Sequence, residues 1–177
     1  MFQKLNMQHD LAFFPSLNLL QRYGEDRGHG WQGISYYSAD STIKNKVLNI
    51  LPNSYRDKFD VSLMIINLSE IPAHTDNNIL VSVNFYVETA DAITRFHKVK
   101  PGQKPKMIKL DNQDDGAIFD ADCLELVGEF KANKNEVWVL DVKNPHSVSC
   151  STNRNRIAYC LQSSKVSYEQ TLKILNC

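Results

Sequence analysis

Three features that mark other classes of protein are missing from this sequence. Neither sign of charge is in surplus, because 20 lysine and arginine residues balance 20 aspartate and glutamate residues, and a balanced chain has no field that draws nucleic acid or an anionic membrane. No apolar run approaches the roughly 20 residues needed to cross a bilayer. Residues 1–14 show neither a secretory apolar region nor an arginine-rich transit pattern. We therefore expect a cytoplasmic protein that binds no nucleic acid and no membrane.

Paired cysteine spacing is also absent. The four cysteines, Cys123, Cys150, Cys160 and Cys177, include no C-x-x-C pair. In a reducing compartment, cysteines at such spacings are free thiols. We expect no disulfide and no structural zinc site.

No linker-like segment and no internal repeat divides the chain. A protein of 177 residues fits a single domain, which at this size buries roughly 70% of its unfolded surface. Within one domain spanning residues 1–177, we expect N-terminal helices and a strand over 1–60, a core over 61–163 and a C-terminal helix over 164–177.

The hydrophobic spacing is helical near the two ends and extended between them. It predicts a helix that begins near Pro15 or Ser16, a helix capped by Ser41 or Thr42 that ends at Pro52, and a final helix from Tyr168 to Leu175. Alternating and β-branched runs predict strands at residues 31–38, 61–68, 79–89, 93–99, 107–110, 124–130, 137–142 and 156–162.

The connections between these strands are also predicted. Residues 69–72 are expected to form a turn, and the strands at 124–130 and 137–142 are expected to form a hairpin through residues 131–136. Residues 24–33 and 98–122 are glycine-rich or polar and predict long loops. Helices at the ends and seven or eight short strands between them predict a mainly β fold with flanking helices (α+β). We expect a double-stranded β-helix, that is a jelly-roll or cupin-like core, with the N-terminal helices packed on one sheet.

One group of residues indicates a metal site. His74 and Asp76 are separated by one residue, so on an extended backbone both side chains leave the same face. His146 follows the apolar segment 137–142, from which a strand can deliver it. Two imidazoles and one carboxylate form a ligand set that suits Fe(II) and leaves coordination positions open.

The order of these residues resembles that of a known family. His74, Asp76, His146 and then Arg156 follow each other as in the double-stranded β-helix Fe(II)/2-oxoglutarate-dependent dioxygenases, in the prolyl-4-hydroxylase-like or aspartyl-hydroxylase-like branch. Residues 83–87 and 93–96 are similar to the third and fourth core strands of that branch, and 137–148 to the segment that delivers the distal histidine. The resemblance covers residues 61–163.

The resemblance implies that Fe(II) binds to His74, Asp76 and His146, and that Arg156 binds the far carboxylate of 2-oxoglutarate. Arginine suits this role because its guanidinium is always charged and binds a carboxylate through two hydrogen bonds. Arg154 is the competitor, but we expect it in the exposed turn.

Strand parity suggests further contacts to the co-substrate. If Arg156 points inward, then Asn84, Tyr86 and Thr94 are candidate hydrogen-bond partners in the co-substrate site. Two positions depart from the family pattern. Ala92 replaces a glycine, and Cys160 stands where a small polar residue often assists the arginine.

The expected function is hydroxylation of an unidentified substrate, a peptidyl prolyl or other residue or a small metabolite, with O2 as oxidant and release of succinate and CO2. The segments 98–122 and 24–33 are the expected substrate lids. Two alternatives remain open: a cupin-type metal enzyme that does not use 2-oxoglutarate, and a non-catalytic jelly-roll binding module. We expect a monomer or a weak dimer.

Overall fold

The computed structural model describes residues 1–12, 22–23, 33–67, 69–76, 78–104, 106–110, 113–152 and 154–176. The described helices are α1 (Ser41–Leu48) and α2 (Tyr168–Ile174), with 3-10 helices at Asn53–Lys58 and Ala121–Cys123. The described strands are β1 (Phe2–Gln8), β2 (Arg22–Tyr23), β3 (Ile34–Ser38), β4 (Asp60–Ile66), β5 (Glu70–His74), β6 (Val81–Glu88), β7 (Ile93–Val99), β8 (Lys106–Leu110), β9 (Gln113–Ile118), β10 (Leu124–Lys131), β11 (Glu136–Leu140), β12 (His146–Ser149) and β13 (Arg156–Ser163).

The strands form two antiparallel sheets. Sheet A has the order β1-β11-β6-β13-β4-β3-β2, and sheet B has the order β10-β7-β12-β5-β9-β8. Four strands of sheet A face four strands of sheet B, namely β4, β13, β6 and β11 on one side and β5, β12, β7 and β10 on the other. The chain passes back and forth between the two sheets. This strand order is that of a jelly roll, so the predicted fold class is confirmed at the level of a mainly β, two-sheet jelly roll.

Two hydrophobic layers lie on opposite faces of sheet A. The outward side chains of β13, Ile157, Tyr159 and Leu161, join a cluster that includes residues of α1 and α2. The inward side chains Ala158 and Cys160 join a second cluster between the sheets. Both faces of β13 are therefore buried, which explains its nearly continuous apolar sequence.

The two helices begin at side-chain caps. The carboxylate of Asp40 accepts hydrogen bonds from the backbone N–H groups of Thr42 and Ile43, so the predicted cap at Ser41 or Thr42 was wrong by one or two residues. Ser167 and Gln170 form a capping box at the start of α2. Such caps satisfy N–H groups that have no partner within the helix.

The predicted hairpin between residues 124–130 and 137–142 was wrong. β10 pairs with β7 in sheet B, whereas β11 pairs with β1 and β6 in sheet A. The turn residues between them, including Asn135 with φ 68°, carry the chain from one sheet to the other. A turn signal between two apolar runs does not show whether the strands pair with each other or change sheets.

The predicted turn at residues 69–72 was also wrong, because residues 70–74 form β5. Proline disfavours the interior of a sheet since it has no N–H donor. Here the register between β5 and β12 shifts by one residue between the His146–His74 and Val148–Ile71 pairs. The resulting bulge accommodates Pro72 within the strand.

Other elements also differ from expectation. β1, β9 and β12 were not predicted as strands, and β9 forms a hairpin with β8 inside the predicted 98–122 loop. The predicted helix from Pro15 or Ser16 toward Tyr23 cannot include residues 22–23, which pair with β3 as β2. Residues 13–21, and residues 24–32 of the predicted N-terminal loop, lie outside the described residues.

Candidate metal and carboxylate-binding site

Three potential metal ligands meet where β5 ends and β12 begins. His74 is the last residue of β5, Asp76 follows two residues later, and His146 is the first residue of β12. Because β5 and β12 are antiparallel neighbours, the pairing register places His146 directly opposite His74. One potential ligand atom from each of the three side chains lies within 4.8 Å of the other two.

The distances fit a single ion. Oδ1 of Asp76 is 3.3 Å from Nε2 of His74 and 3.6 Å from Nε2 of His146. Metal–ligand bonds of about 2.1 Å at right angles place neighbouring donor atoms about 3 Å apart. The backbone N–H of Asp76 donates to the carbonyl of Val142, which holds the carboxylate between the two rings. These residues therefore fit one metal ion with minor adjustment.

Backbone carbonyls orient both imidazoles. Nδ1 of His74 lies 2.9 Å from the carbonyl oxygen of Pro72, and Nδ1 of His146 lies 3.0 Å from that of Asn144. A carbonyl only accepts, so Nδ1 of each ring is the donor, and each Nε2 faces the position that a metal ion would share with Asp76. Burial, together with the neighbouring His74, lowers the pKa of His146 to about 4. His146 is therefore neutral near pH 7, as a metal ligand must be.

Arg156 is a buried cation within the jelly roll. It is 3% exposed. Its Nη2 donates to the Tyr86 hydroxyl at 2.6 Å and to the Thr94 hydroxyl at 3.0 Å, and its guanidinium carbon lies 4.9 Å from the centroid of the Tyr86 ring. Over the described ranges of the chain, no aspartate or glutamate forms an ion pair with Arg156. A buried cation with only neutral partners favours binding of an anion.

Asn84 reaches Arg156 only through Tyr86. Ser82 Oγ donates to Asn84 Oδ1 at 2.6 Å, and Asn84 Nδ2 lies 3.4 Å from the Tyr86 hydroxyl. Strand parity predicts that Ser82, Asn84 and Tyr86 share a face, and in the structure all three are buried. The Tyr86 hydroxyl thus accepts hydrogen bonds from both Arg156 and Asn84, which leaves its own proton for another acceptor.

The metal ligands and Arg156 line one cavity. Asn84 and Thr94 also line it, whereas Tyr86 is fully buried behind Arg156. Sequence reasoning did not single out several other lining residues, although strand parity marks Ser82 and Gln162 as inward-facing. These residues are Ile34, Tyr36, Met64, Ile66, Ile71, Ser82, Leu140, Val142, Val148 and Gln162.

The two residues that the sequence left in question have different surroundings. Arg154 has a side chain that is 69% exposed and forms an ion pair with Asp91 on the surface. Cys160 lines the cavity, and burial raises the pKa of its thiol to about 12, so it is a neutral group there. Cys123, Cys150 and Cys160 are free thiols; Cys177 lies outside the described residues.

Comparisons with known proteins show likeness at the level of structure. No protein-family model matches the chain, and none of the curated proteins matches it. Among solved structures, a vicilin from Corylus avellana (hazelnut) has a TM-score of 0.42 and 13% identity, covering 75% of this chain and 29% of the other. A vicilin from Capsicum annuum has a TM-score of 0.43 and 10% identity over 75% and 29%. Oxalate decarboxylase from Bacillus subtilis has a TM-score of 0.40 and 11% identity over 75% and 26%.

The chain thus spans less than a third of the length of each of these structures. At such scores the likeness indicates no function, and the jelly-roll assignment rests on the strand order. Among the described helices, none is long and apolar enough to cross a membrane.

Proposed function

We propose that this protein is an Fe(II)- and 2-oxoglutarate-dependent dioxygenase. The reaction converts a substrate C–H bond, 2-oxoglutarate and O2 into a C–OH group, succinate and CO2. The single observation that carries the proposal is that the group of His74, Asp76 and His146 shares a cavity with Arg156, a buried cation that has no carboxylate partner over the described ranges. The substrate that is hydroxylated is a peptidyl residue, such as proline, or a small metabolite.

The donor set favours iron. Two imidazole nitrogens and one carboxylate on one face of an octahedron leave three positions open, an arrangement typical of non-haem Fe(II) oxygenases. When bound, Fe(II) supplies the activation of O2 and the oxidation of the substrate carbon. The protein holds the ion and aligns the two substrates with it. The carbonyls of Pro72 and Asn144 contribute by fixing the imidazole tautomers.

Arg156 provides the anchor for the co-substrate. 2-Oxoglutarate has a carboxylate at each end, and the end away from the metal needs a fixed cation inside the cavity. The hydroxyls of Tyr86 and Thr94 hold the guanidinium in place. An ion pair formed at this depth is protected from solvent, and its hydrogen bonds are roughly twice as strong as neutral ones.

The cavity walls around the two binding groups exclude water. Met64, Ile66, Ile71, Val142 and Val148 line it. The hairpin of β8 and β9 extends sheet B next to the metal-bearing strand β5. The segment 98–122, which contains this hairpin, is therefore suited to cover the bound substrates as a lid.

Binding experiments without oxygen test the proposal. We expect Fe(II) to bind with two histidine nitrogens in its coordination sphere, and 2-oxoglutarate to bind only when the metal is present. Arg156→Gln removes the cation and is expected to weaken 2-oxoglutarate binding about a hundredfold, while metal affinity is unchanged. The matched control is Arg154→Gln, which removes an exposed arginine two residues before Arg156. It is expected to change neither the metal affinity nor the 2-oxoglutarate affinity.

Turnover supplies the second test. Wild-type protein with Fe(II), 2-oxoglutarate and O2 is expected to form succinate and CO2 in equal amounts. Metal binding without any binding of 2-oxoglutarate would contradict the proposal and favour a metal-dependent jelly-roll enzyme of another kind. Absence of metal binding would favour a non-catalytic binding module.

A further inference from the structure

Gln162 lies at the metal end of the cavity. β12 begins at His146 and runs away from the metal ligands, and β13 then returns in the opposite direction from Arg156. Gln162, near the end of β13, pairs with Ser82 at the start of β6, close to where the chain returns from the metal ligands to sheet A. Gln162 and Arg156 therefore lie at opposite ends of one wall of the same cavity.

The side-chain amide of Gln162 has unused hydrogen-bonding capacity. Its Oε1 accepts one long hydrogen bond, 3.5 Å, from Ser62 Oγ. Its Nε2 has no hydrogen-bond partner in the part of the chain that the structure describes. The neighbouring Ser82 hydroxyl has its proton committed to Asn84 Oδ1 at 2.6 Å. Among the described residues on this part of the wall, Gln162 thus has an amide N–H that is available to donate to a ligand.

The metal end of the cavity offers no charge to a second substrate. Among the described residues that line the cavity, the histidine, acidic and basic side chains are the three candidate metal ligands and Arg156. The metal and the co-substrate engage all four in the proposed function. Leu140, which pairs with Ser82 beside Gln162, is uncharged, so a charged substrate would lose its hydration here without gaining a counter-ion.

We propose that Gln162 is the specificity-determining residue for the hydroxylated substrate, and that it donates its amide N–H to an uncharged oxygen of a neutral substrate. A carbonyl of a peptide-like amide fits this description. A substrate carrying a free carboxylate or ammonium next to the reacting carbon does not. This inference rests on the proposed function, because the metal and 2-oxoglutarate define which part of the cavity remains for the second substrate.

Equilibrium binding, rather than turnover, provides the main test. The protein is loaded with Zn(II), which has no redox chemistry, and with 2-oxoglutarate, and is titrated with a panel of N-acetyl amino acid methylamides and the matched N-acetyl amino acids with a free carboxylate. Chemical shifts and calorimetry report binding. We expect at least one neutral probe to bind, and its carboxylate counterpart to bind at least about tenfold more weakly.

The variants Gln162→Leu and Gln162→Glu are each expected to weaken binding of the neutral probe by about tenfold and to leave 2-oxoglutarate affinity within about twofold of wild type. Ser62→Ala is the control, because it removes the partner of Gln162 but leaves the amide in place. It is expected to bind the neutral probe like wild type. Gln162→Glu is nearly isosteric, so it remains informative if Gln162→Leu does not fold.

Unchanged probe affinity in a folded Gln162 variant would overturn the inference. Preference of the wild type for the carboxylate probes, or binding of none of the neutral probes, would also overturn it. In each of these cases 2-oxoglutarate still binds to the metal-loaded protein. Failure of wild-type protein to bind 2-oxoglutarate would instead overturn the proposed function.

Discussion

At the scale of single residues, the hydrogen bonds that Arg156 donates are the contacts that most directly set co-substrate affinity in the proposed function. Tyr86 and Thr94 are the two side chains whose hydroxyls accept from its Nη2. A hydrogen bond to a charged group contributes about 1.5–3 kcal/mol. The arginine therefore depends on its neighbours for position as well as on its own charge for binding.

Tyr86→Phe removes one of these hydroxyls while the buried ring remains. We expect it to weaken 2-oxoglutarate binding by about tenfold, since Arg156 loses an orienting hydrogen-bond partner. Metal affinity is expected to be unchanged. Anaerobic titration of metal-loaded protein measures both constants. The control is Tyr37→Phe. Tyr37 lies on β3 and packs against the hydrophobic cluster on the outer side of sheet A. Equal losses of 2-oxoglutarate affinity in the two variants would argue against a specific role of Tyr86.

Glu136 is a second residue whose surroundings determine its protonation. Burial raises the pKa of its carboxyl, but hydrogen bonds from Asn133, Lys4 and Trp138 outweigh that effect and hold the pKa at about 2, against an ordinary value of 4.5. Because the folded-state pKa is depressed, the carboxylate stabilises the fold above pH 4.5. This stabilisation is lost as the pH falls from 4.5 to about 2.

Glu136→Gln is expected to lower the free energy of unfolding near pH 7 by roughly 2 kcal/mol. The difference from wild type is expected to shrink as the pH falls below 4.5. Urea unfolding at several pH values measures this dependence. Glu129→Gln, which removes a half-exposed ion pair with Arg95, serves as the control and is expected to cost less than about 1 kcal/mol. A pH-independent difference would contradict the assignment.

At the scale of elements, local signals decide where helices begin but not where strands pair. The Ser167–Gln170 capping box of α2 follows directly from the sequence pattern, and the helix packs its apolar residues, including Leu172, on the outer face of sheet A. A helix of 7 residues is too short to be stable by itself. It depends on both its cap and this packing.

Ser167→Ala is expected to lower the free energy of unfolding by about 1 kcal/mol, because the Gln170 N–H loses its acceptor. Amide hydrogen exchange is expected to increase first in α2, while metal affinity is unchanged. The exposed neighbour Ser164 provides the control, and Ser164→Ala is expected to have no measurable effect. If metal affinity falls with stability, α2 is coupled to the site more closely than the fold indicates.

At the scale of the whole molecule, the two candidate binding sites join strands that are far apart in sequence. The metal site connects β5 and β12, and the contacts of Arg156 connect β13 with β6 and β7. Ligands that bind only the folded protein stabilise it according to their affinity, by about 2.7 kcal/mol at a hundredfold excess over Kd. Binding at the metal site thus opposes separation of β5 from β12 within sheet B, and binding at Arg156 opposes separation of the two sheets.

We therefore expect an ordered increase in the thermal unfolding midpoint. Fe(II) alone is expected to raise it by several degrees at a hundredfold excess over Kd, and 2-oxoglutarate to add a further increase only when metal is present. Asp76→Ala is expected to abolish both increases, and Arg156→Gln only the second. Differential scanning calorimetry without oxygen measures these shifts. A shift by 2-oxoglutarate in metal-free protein would contradict the proposed order.

The sequence alone determined most strand positions and the chemistry of the candidate site. Alternating and β-branched runs are local, so residues 93–99 and 156–162 were predicted within a residue of β7 and β13. His74, Asp76 and His146 stood out because metal ligands need particular donor atoms, and strand parity indicated Tyr86 as a partner of Arg156 if Arg156 points inward. These signals depend only on residue type and on the geometry of a single strand.

Only the tertiary structure decided which strands are neighbours. The partners of β10 and β11, the bulge that admits Pro72 and the β8–β9 hairpin depend on contacts between distant segments. The same holds for the lack, among the described residues, of a counter-ion for Arg156 and of a partner for the amide N–H of Gln162, because an unsatisfied group is defined by everything around it. Local periodicity carries no information about such pairings, since one alternating strand can hydrogen-bond with many others.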